Sequence, residues 1–189
     1  VAIFSKTPMK LHSTMDMLGG GQARHIAATL DNGIQVHNFY VPAGGDEPDP
    51  AINPKFADKL KFLDGMDAWS KEIKKNDKIV AVGDFNIAPL EHDVWSSKQL
   101  KNVVSHTPIE RETLMRIMRD YGWVDAPRQF VPEDEKLYSW WSYRNRDWKK
   151  SNRGRRLDHI WLTPNLKAAL KDYHIIPDMR DLEKPSDHV

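Results

Sequence analysis

Cysteine is absent from the 189-residue chain, which excludes a disulfide framework, a thiolate metal site and a cysteine nucleophile, and fits a reducing compartment. Long apolar runs are missing too. No stretch approaches the roughly 20 residues that a membrane-spanning helix needs, and 40% hydrophobic with 29% charged residues suits a soluble globular protein. A dominant charge sign is also lacking. The 28 Lys and Arg nearly balance the 27 Asp and Glu, leaving a formal net charge of +1, so any affinity for a polyanion must come from a local patch. There is no internal repeat and no low-complexity linker, and the length suits one continuous domain over residues 1–189.

What is present begins with an apolar run. Residues 1–5, Val-Ala-Ile-Phe-Ser, read as a buried strand already under way, with no signal-peptide pattern before it. The other end stops inside the motif Ser186-Asp187-His188. Buried strands and functional dyads are seldom left at fraying termini, so the chain is expected to be a piece of a longer protein, incomplete at both ends.

Between these ends the periodicities alternate. Residues 24–30 and 34–41 are β-type runs joined by Asp31-Asn32-Gly33, a strong hairpin signal. Phe56, Leu60, Leu63, Trp69 and Ile73 recur at helical spacing, with Lys and Asp opposite. Residues 78–82 form a short apolar run of strand length that delivers Asp84 and Asn86 to a loop at its end. Thr107-Pro108 with Glu110 starts a helix that Gly122 stops. Residues 138–143 and 157–162 read as strands, and residues 166–173 give a mixed signal. The pattern predicts an α/β fold, two packed mixed sheets with helices outside.

Three acidic motifs in fixed order carry the chemistry: Gly83-Asp84-Phe85-Asn86, Arg156-Leu157-Asp158-His159 and Ser186-Asp187-His188. Taken singly, Asp84 could be a loop-capping acid and Asn86 a turn residue. Together they describe a phosphodiesterase site. Such hydrolysis needs a metal against the phosphoryl oxygens, a base or positioner for water, and stabilisation of the leaving alkoxide. Few acids and no thiol suit a hard ion such as Mg²⁺ better than zinc. Asp158 lies in a strand-like run, where a carboxylate needs a partner, and His188 is the candidate. An Asp that orients a His fixes its tautomer and stabilises the imidazolium. Strand alternation turns His159 to the opposite face, so it is assigned a structural role.

Residues 144–156 hold seven Lys and Arg against the single acid Asp147, while the rest of the chain is net acidic. This loop is interleaved with Trp140, Trp141, Tyr143 and Trp148. Cations for phosphates and aromatic faces for bases or sugars make up a nucleic-acid surface. One of Trp140 and Trp141 must nevertheless be buried by strand alternation.

Several stretches carry a resemblance: Val1-Ala2-Ile3-Phe4-Ser5-Lys6, Asn38-Phe39-Tyr40-Val41-Pro42, Gly83-Asp84-Phe85-Asn86-Ile87-Ala88-Pro89, Tyr138-Ser139-Trp140-Trp141-Ser142-Tyr143-Arg144, Asn152-Arg153-Gly154 and the two later motifs. The chain resembles the exonuclease III family of the endonuclease/exonuclease/phosphatase superfamily over essentially its whole length. The resemblance implies a four-layer α/β sandwich, divalent-metal dependence on Mg²⁺ or Mn²⁺, and action on double-stranded DNA. The activities implied are 3′-to-5′ exonuclease, apurinic/apyrimidinic endonuclease and 3′-phosphatase, in a cytoplasmic monomer without membrane contact. Carried over, the catalytic residues are Tyr40 at the scissile phosphate, Asp84 at the nucleophilic water, Asn86 orienting both, and Asp158 paired with His188. Asp187, Asp84 and Asn86 are the implied metal ligands. Arg24, Trp140, Tyr143, Arg144, Arg146, Asn152 and Arg153 are the implied DNA contacts.

Three departures stand out. The family's N-terminal Asn motif and metal-ligating Glu are not found, so the chain is expected to be weaker alone than a longer form. Ala43 stands where many relatives carry an amide, and Arg155 where some abasic-site endonucleases carry a Trp. Two other readings compete: a lipid or inositol-phosphate phosphoesterase of the same superfamily, against which the aromatic-basic loop argues, and an inactive DNA-binding fragment.

Overall fold

A computed structural model describes residues 1–144 and 147–189. In chain order the elements are β1 (Met9–Ser13), β2 (His25–Leu30), β3 (Gln35–Tyr40), α1 (Pro54–Glu72), β4 (Ile79–Asp84), the single-turn α2 (Ser97–Leu100), α3 (Pro108–Tyr121) and β5 (Val124–Asp125). They continue with β6 (Trp140–Trp141), the single-turn α4 (Trp148–Ser151), β7 (Gly154–Arg155) and β8 (Asp158–Leu162). Six strands form one mixed sheet in the order β1-β2-β3-β4-β8-β5, and β6 with β7 forms a separate two-stranded ribbon. The α/β class, two sheets and outer helices follow the expectation, with the second sheet reduced to that ribbon. No described helix is long and apolar enough to cross a membrane.

The expected hairpin is β2 and β3, paired with His25 opposite Phe39. Its turn closes through Gly33 N–H on Leu30 O, with Gly33 at φ +81°, a conformation that glycine adopts without steric cost. β3 runs parallel to β4, so the connection must cross over, and α1 is that crossover. Asn53 caps α1 by accepting from Lys55 N–H, and Pro54 occupies the first turn, where no donor is needed. The helix α3 opens with the Thr107/Glu110 capping box and ends at Gly122 at φ +88°.

The core lies between the sheet and the pair α1 and α3. Phe39, Phe62, Leu63, Phe85, Leu114 and Trp161 are all essentially inaccessible to solvent. Each such side chain contributes roughly 1.5–3 kcal/mol by leaving water. Trp123 donates its indole N–H to Ser70 Oγ at 3.1 Å and ties the loop after α3 to α1.

Two expected strands differ, and the mixed segment resolves. Residues 1–5 pair with no strand among the described residues, and Phe4 is 93% exposed. The segment is attached by the Val1 ammonium on Ala23 O and by Asn38 Nδ2 on Ala2 O. Apolar patterning records a capacity for burial, but a strand also needs a neighbouring ladder. Of residues 138–143 only Trp140 and Trp141 are paired, and the mixed signal at 166–173 resolves as a 3₁₀ turn, Pro164–Ala169.

The register of the central strands sets up the site. Tyr40 on β3 faces Asp84 on β4, and Asp84 faces Asp158 on β8. Gly83 permits this approach. It sits at φ +131°, and a Cβ there would come within 2.0 Å of Phe39 O, which no side chain can tolerate.

Candidate active site

Tyr40, Asp84 and Asp158 form a row across three strands at one end of the sheet. Asn86 clamps the middle carboxylate: its backbone N–H donates to Asp84 Oδ1 at 2.9 Å and its Nδ2 donates to Asp84 Oδ2 at 2.9 Å. The same Nδ2 donates to Val41 O at 3.0 Å. That geometry requires the left-handed backbone, φ +53°, a region where Asn is among the least penalised side chains.

Asp158 is built in from the other side. Ser139 Oγ accepts from the backbone N–H groups of Leu157 and Asp158, so its one proton goes to Asp158 Oδ2 at 2.6 Å. His188 Nδ1 lies 2.8 Å from the same oxygen. An ionised carboxylate only accepts, so Nδ1 carries a proton, and Nε2 turns towards Asp84 Oδ2 at 3.9 Å. The segment bearing His188 is held by strand-like contacts: Trp141 N–H on Asp187 O and Val189 N–H on Ser139 O.

Electrostatics separate the two groups. Burial and the neighbouring Asp158 charge push the Asp84 carboxyl up to about 6, against opposing effects of His188, Asn86 N–H and Lys59. Burial pulls His188 down, but the hydrogen bond and charge of Asp158, with Asp84 and Asp187, outweigh it and raise its affinity for a proton. A carboxyl that is reluctant to ionise therefore faces an imidazole whose hold on a proton is strengthened.

Asp84, Asp158 and His188 bring one ligand atom each within 4.8 Å of one another. Two carboxylates held close together, with Asp84 made reluctant to ionise by burial and by the charge of Asp158, fit a divalent cation, whose charge would relieve the repulsion. The expected ligand Asp187 is not in this group. Its Oδ2 accepts from Trp140 Nε1 at 2.8 Å, beside His188 in the lining of the groove. Asn86 has its Nδ2 committed to Asp84 and Val41, which leaves Oδ1 as its available ligand atom.

An open groove runs over the row. Tyr40, Asp84, Asn86, Trp140, Arg144, Arg153, Asp187 and His188 line it, joined by Trp95, Ser105 and Arg155. Arg153 stacks on Trp95 at 4.6 Å and Arg155 on Trp140 at 5.4 Å. Arg24 lies outside the lining but stacks on Tyr40 at 5.1 Å. Tyr143, 57% exposed, donates to Pro185 O, and Asn152 accepts from Trp141 Nε1, so these two brace the loop rather than line the groove. Arg146 lies outside the described residues.

The basic loop is not uniformly a surface of free charge. Arg156 is 1% exposed and bridges Asp125, at 2.7 and 2.8 Å from Nη1, and Asp93, at 2.9 Å from Nη2. Lys149 pairs with Asp181 at 2.5 Å. The cation count of the loop therefore overstates the charge offered to a ligand. His159 is fully internal, its Nε2 on Ile87 O at 2.8 Å, in line with its structural assignment.

Three neighbours of the site have no role in it by sequence alone. Ser139 lies inside the aromatic stretch around Trp140 and Glu110 in the start of α3, neither marked for this contact, while Lys59 and Glu110 are wholly buried beneath the Asn86 loop. A signal for Lys59 exists in the helix spacing: it falls three residues after Phe56 and four before Leu63, on the apolar face.

The profile of the Endonuclease/Exonuclease/phosphatase family matches residues 1–188. Exodeoxyribonuclease III of Haemophilus influenzae is 33% identical over 177 residues, covering 88% of this chain and 64% of that protein. A DNA-(apurinic or apyrimidinic site) endonuclease of Dictyostelium discoideum is 32% identical over 154 residues, 81% of this chain and 40% of that protein. Among solved structures, a 3′ phosphatase from Neisseria bound to product DNA hairpin superposes with a TM-score of 0.85 at 30% identity, over 97% of this chain and 70% of that one. An AP endonuclease from Archaeoglobus fulgidus gives 0.82 at 30% identity, over 95% and 68%. The chain thus spans less than two thirds of the length of these two curated relatives. With the profile running through all three acidic motifs and the fold shared with these nucleases, the chain belongs to the endonuclease/exonuclease/phosphatase family.

Proposed function

We propose that the protein hydrolyses phosphodiesters of double-stranded DNA, as a 3′-to-5′ exonuclease and as an endonuclease at abasic sites. The observation that carries this reading is the Asp84–His188–Asp158 row beneath a groove walled by Trp–Arg pairs. Its similarity to an exodeoxyribonuclease III and to AP endonucleases supports the same reading. A monomer in the cytoplasm, using Mg²⁺ or Mn²⁺, is the accompanying expectation.

Asp84, ionised above about pH 6, accepts a proton from the attacking water as the water oxygen bonds to phosphorus and the phosphorus–oxygen bond to the leaving sugar breaks, that oxygen taking its proton from solvent; Asn86 holds the carboxylate in one orientation for the transfer. His188 presents Nε2 to the phosphoryl oxygens, and as an imidazolium it stabilises the charge that develops there. Asp158 keeps the proton on Nδ1 and favours the charged ring. A divalent ion held by Asp84 and Asp158 would neutralise phosphoryl charge when bound. The aromatic faces of Trp140 and Trp95 offer stacking for sugars or bases, and Arg144, Arg153 and Arg155 offer donors to phosphates.

Duplex DNA with an abasic analogue, duplex DNA with a recessed 3′ end, and phosphoinositide or sphingomyelin vesicles should be offered to the full-length protein with Mg²⁺, Mn²⁺ or chelator. DNA cleavage that chelator abolishes and that His188→Ala lowers by roughly two orders of magnitude or more is expected. Preferential turnover of the lipids, or cleavage indifferent to chelator, would overturn the reading.

A further inference from the structure

Lys59 lies on α1 with its side chain wholly inaccessible to solvent, as is that of Glu110 on α3. Its ammonium has three protons and three partners: Glu110 Oε1 at 2.5 Å, Asn86 O at 2.8 Å and Ala43 O at 3.3 Å. Glu110 is equally saturated, accepting from Ser105 N, Thr107 N and Thr107 Oγ1. Stability alone gives a poor reason for this arrangement. Taking two charges out of water costs about as much as their attraction returns, and well-packed apolar replacements of such pairs are often as stable.

What the pair does that an apolar pair could not is grip the carbonyls of two loops that line the groove. Ala43 O belongs to the loop leaving β3, and Asn86 O to the loop leaving β4. The second carbonyl matters most. Asn86 is the residue at φ +53° whose backbone N–H and Nδ2 both hold the Asp84 carboxylate. Its carbonyl, on the far side of the residue from that N–H, is held by the Lys59 ammonium at 2.8 Å. The connection therefore runs from the N-terminus of α3, through Glu110 and Lys59, to the Asn86 carbonyl and so to Asp84.

We propose that the buried Lys59–Glu110 pair is a positioning device that holds Asn86 in its left-handed conformation and thereby aims the Asp84 carboxylate. Lys59 touches neither substrate nor reacting atoms in this arrangement. The inference rests on the reading of Asp84 as the group that engages water, and it makes a further claim that can be measured without catalysis.

The test is Lys59→Met/Glu110→Gln in the full-length protein, which removes both charges at nearly constant volume and leaves a carbonyl for Ser105 and Thr107. Thermal unfolding should stay close to that of the parent. On abasic duplex DNA, kcat should fall about 100-fold with KM within a few-fold, the scale of misplacing a group by about 1 Å. Hydrogen exchange at Asn86 N–H and Nδ2 should accelerate at least about tenfold while Ile79 to Val82 of β4 are unchanged, as expected for local rather than global opening. Unaltered exchange at Asn86, or acceleration spread evenly along β4, would overturn the proposal. If the parent cleaves no DNA, the proposed function falls and the exchange measurement alone decides this inference. If the double variant fails to fold, Glu110→Gln alone must show the same selective exchange at Asn86, and its absence would be equally decisive.

Discussion

Asp84 is held in a state that the fold itself disfavours. Its carboxyl is pushed up to about 6 from an ordinary 3.8, first by burial and then by Asp158. A raised carboxyl binds its proton more tightly folded than unfolded, so its contribution to stability is intact below 3.8 and is lost as pH rises through about 6. Above that range the ionised group is a net cost, with a ceiling of about 3 kcal/mol at about 1.4 kcal/mol for each tenfold change in proton affinity. Asp84→Asn should therefore raise the melting temperature in chelator at pH 8, by about 2–6 °C for a chain of this size, and the gain should shrink towards pH 4. The same substitution should lower turnover by roughly two orders of magnitude or more. A variant no more stable than the parent at pH 8 would contradict the strained-acid account. Residues of this kind were legible in the sequence because Asp84, Asn86, Asp158 and His188 sit in ordered motifs. Ser139 and Lys59 were not, since a serine between aromatics or a lysine in a helix has no local sign of its partners. Arg156 was misleading for the same reason: its basic neighbours made it look like surface, and only Asp93 and Asp125, both distant in sequence, draw it inward.

Elements announce themselves where their ends do. Asn32-Gly33, Thr107-Pro108 with Glu110, and Gly122 marked out the hairpin and α3 because turn and cap chemistry is local. Residues 1–5 offered only apolarity, and pairing depends on what lies alongside. The short strand β8 shows how much a non-local contact contributes. Arg156 precedes it and joins β5, through Asp125, to the 3₁₀ turn Glu91–Asp93. Burial alone would raise the Asp93 carboxyl, but Arg156 and Arg128 outweigh it and hold it below the usual range. Arg156→Met would take the cation from Asp125 and leave Asp93 with Arg128 alone, and should cost about 3–5 kcal/mol in urea unfolding. A loss of DNA affinity at unchanged stability would instead return Arg156 to the surface role that its position in the basic loop suggested.

At the scale of the molecule, a nearly neutral chain concentrates cations over an acidic site. The proposed DNA contacts that line the groove are few, with Arg144 and Arg153 the most available, since Arg155 already donates to Ser105 Oγ at 2.8 Å. Replacing Arg144 and Arg153 by Ala should flatten the logarithmic salt dependence of duplex binding by about 1.8, close to 0.9 for each phosphate no longer neutralised. Turnover at saturating DNA should change little, and fluorescence anisotropy across a salt series would expose an unchanged slope. The neighbouring strands of the site are far apart along the chain. Tyr40, Asp84 and Asp158 are adjacent only through the β3–β4 and β4–β8 ladders, and His188 joins them across another 30 residues. Such an arrangement has high contact order, in which loop closure precedes the reward of contact. A growing polypeptide carries Tyr40 and Asp84 long before it carries their partners, so no early stretch of it holds the full set of reacting groups. The group of Tyr40, Asp84, Asp158 and His188 is thus complete only once the long-range pairing of β4 with β8 and the contact of His188 with Asp158 have both formed.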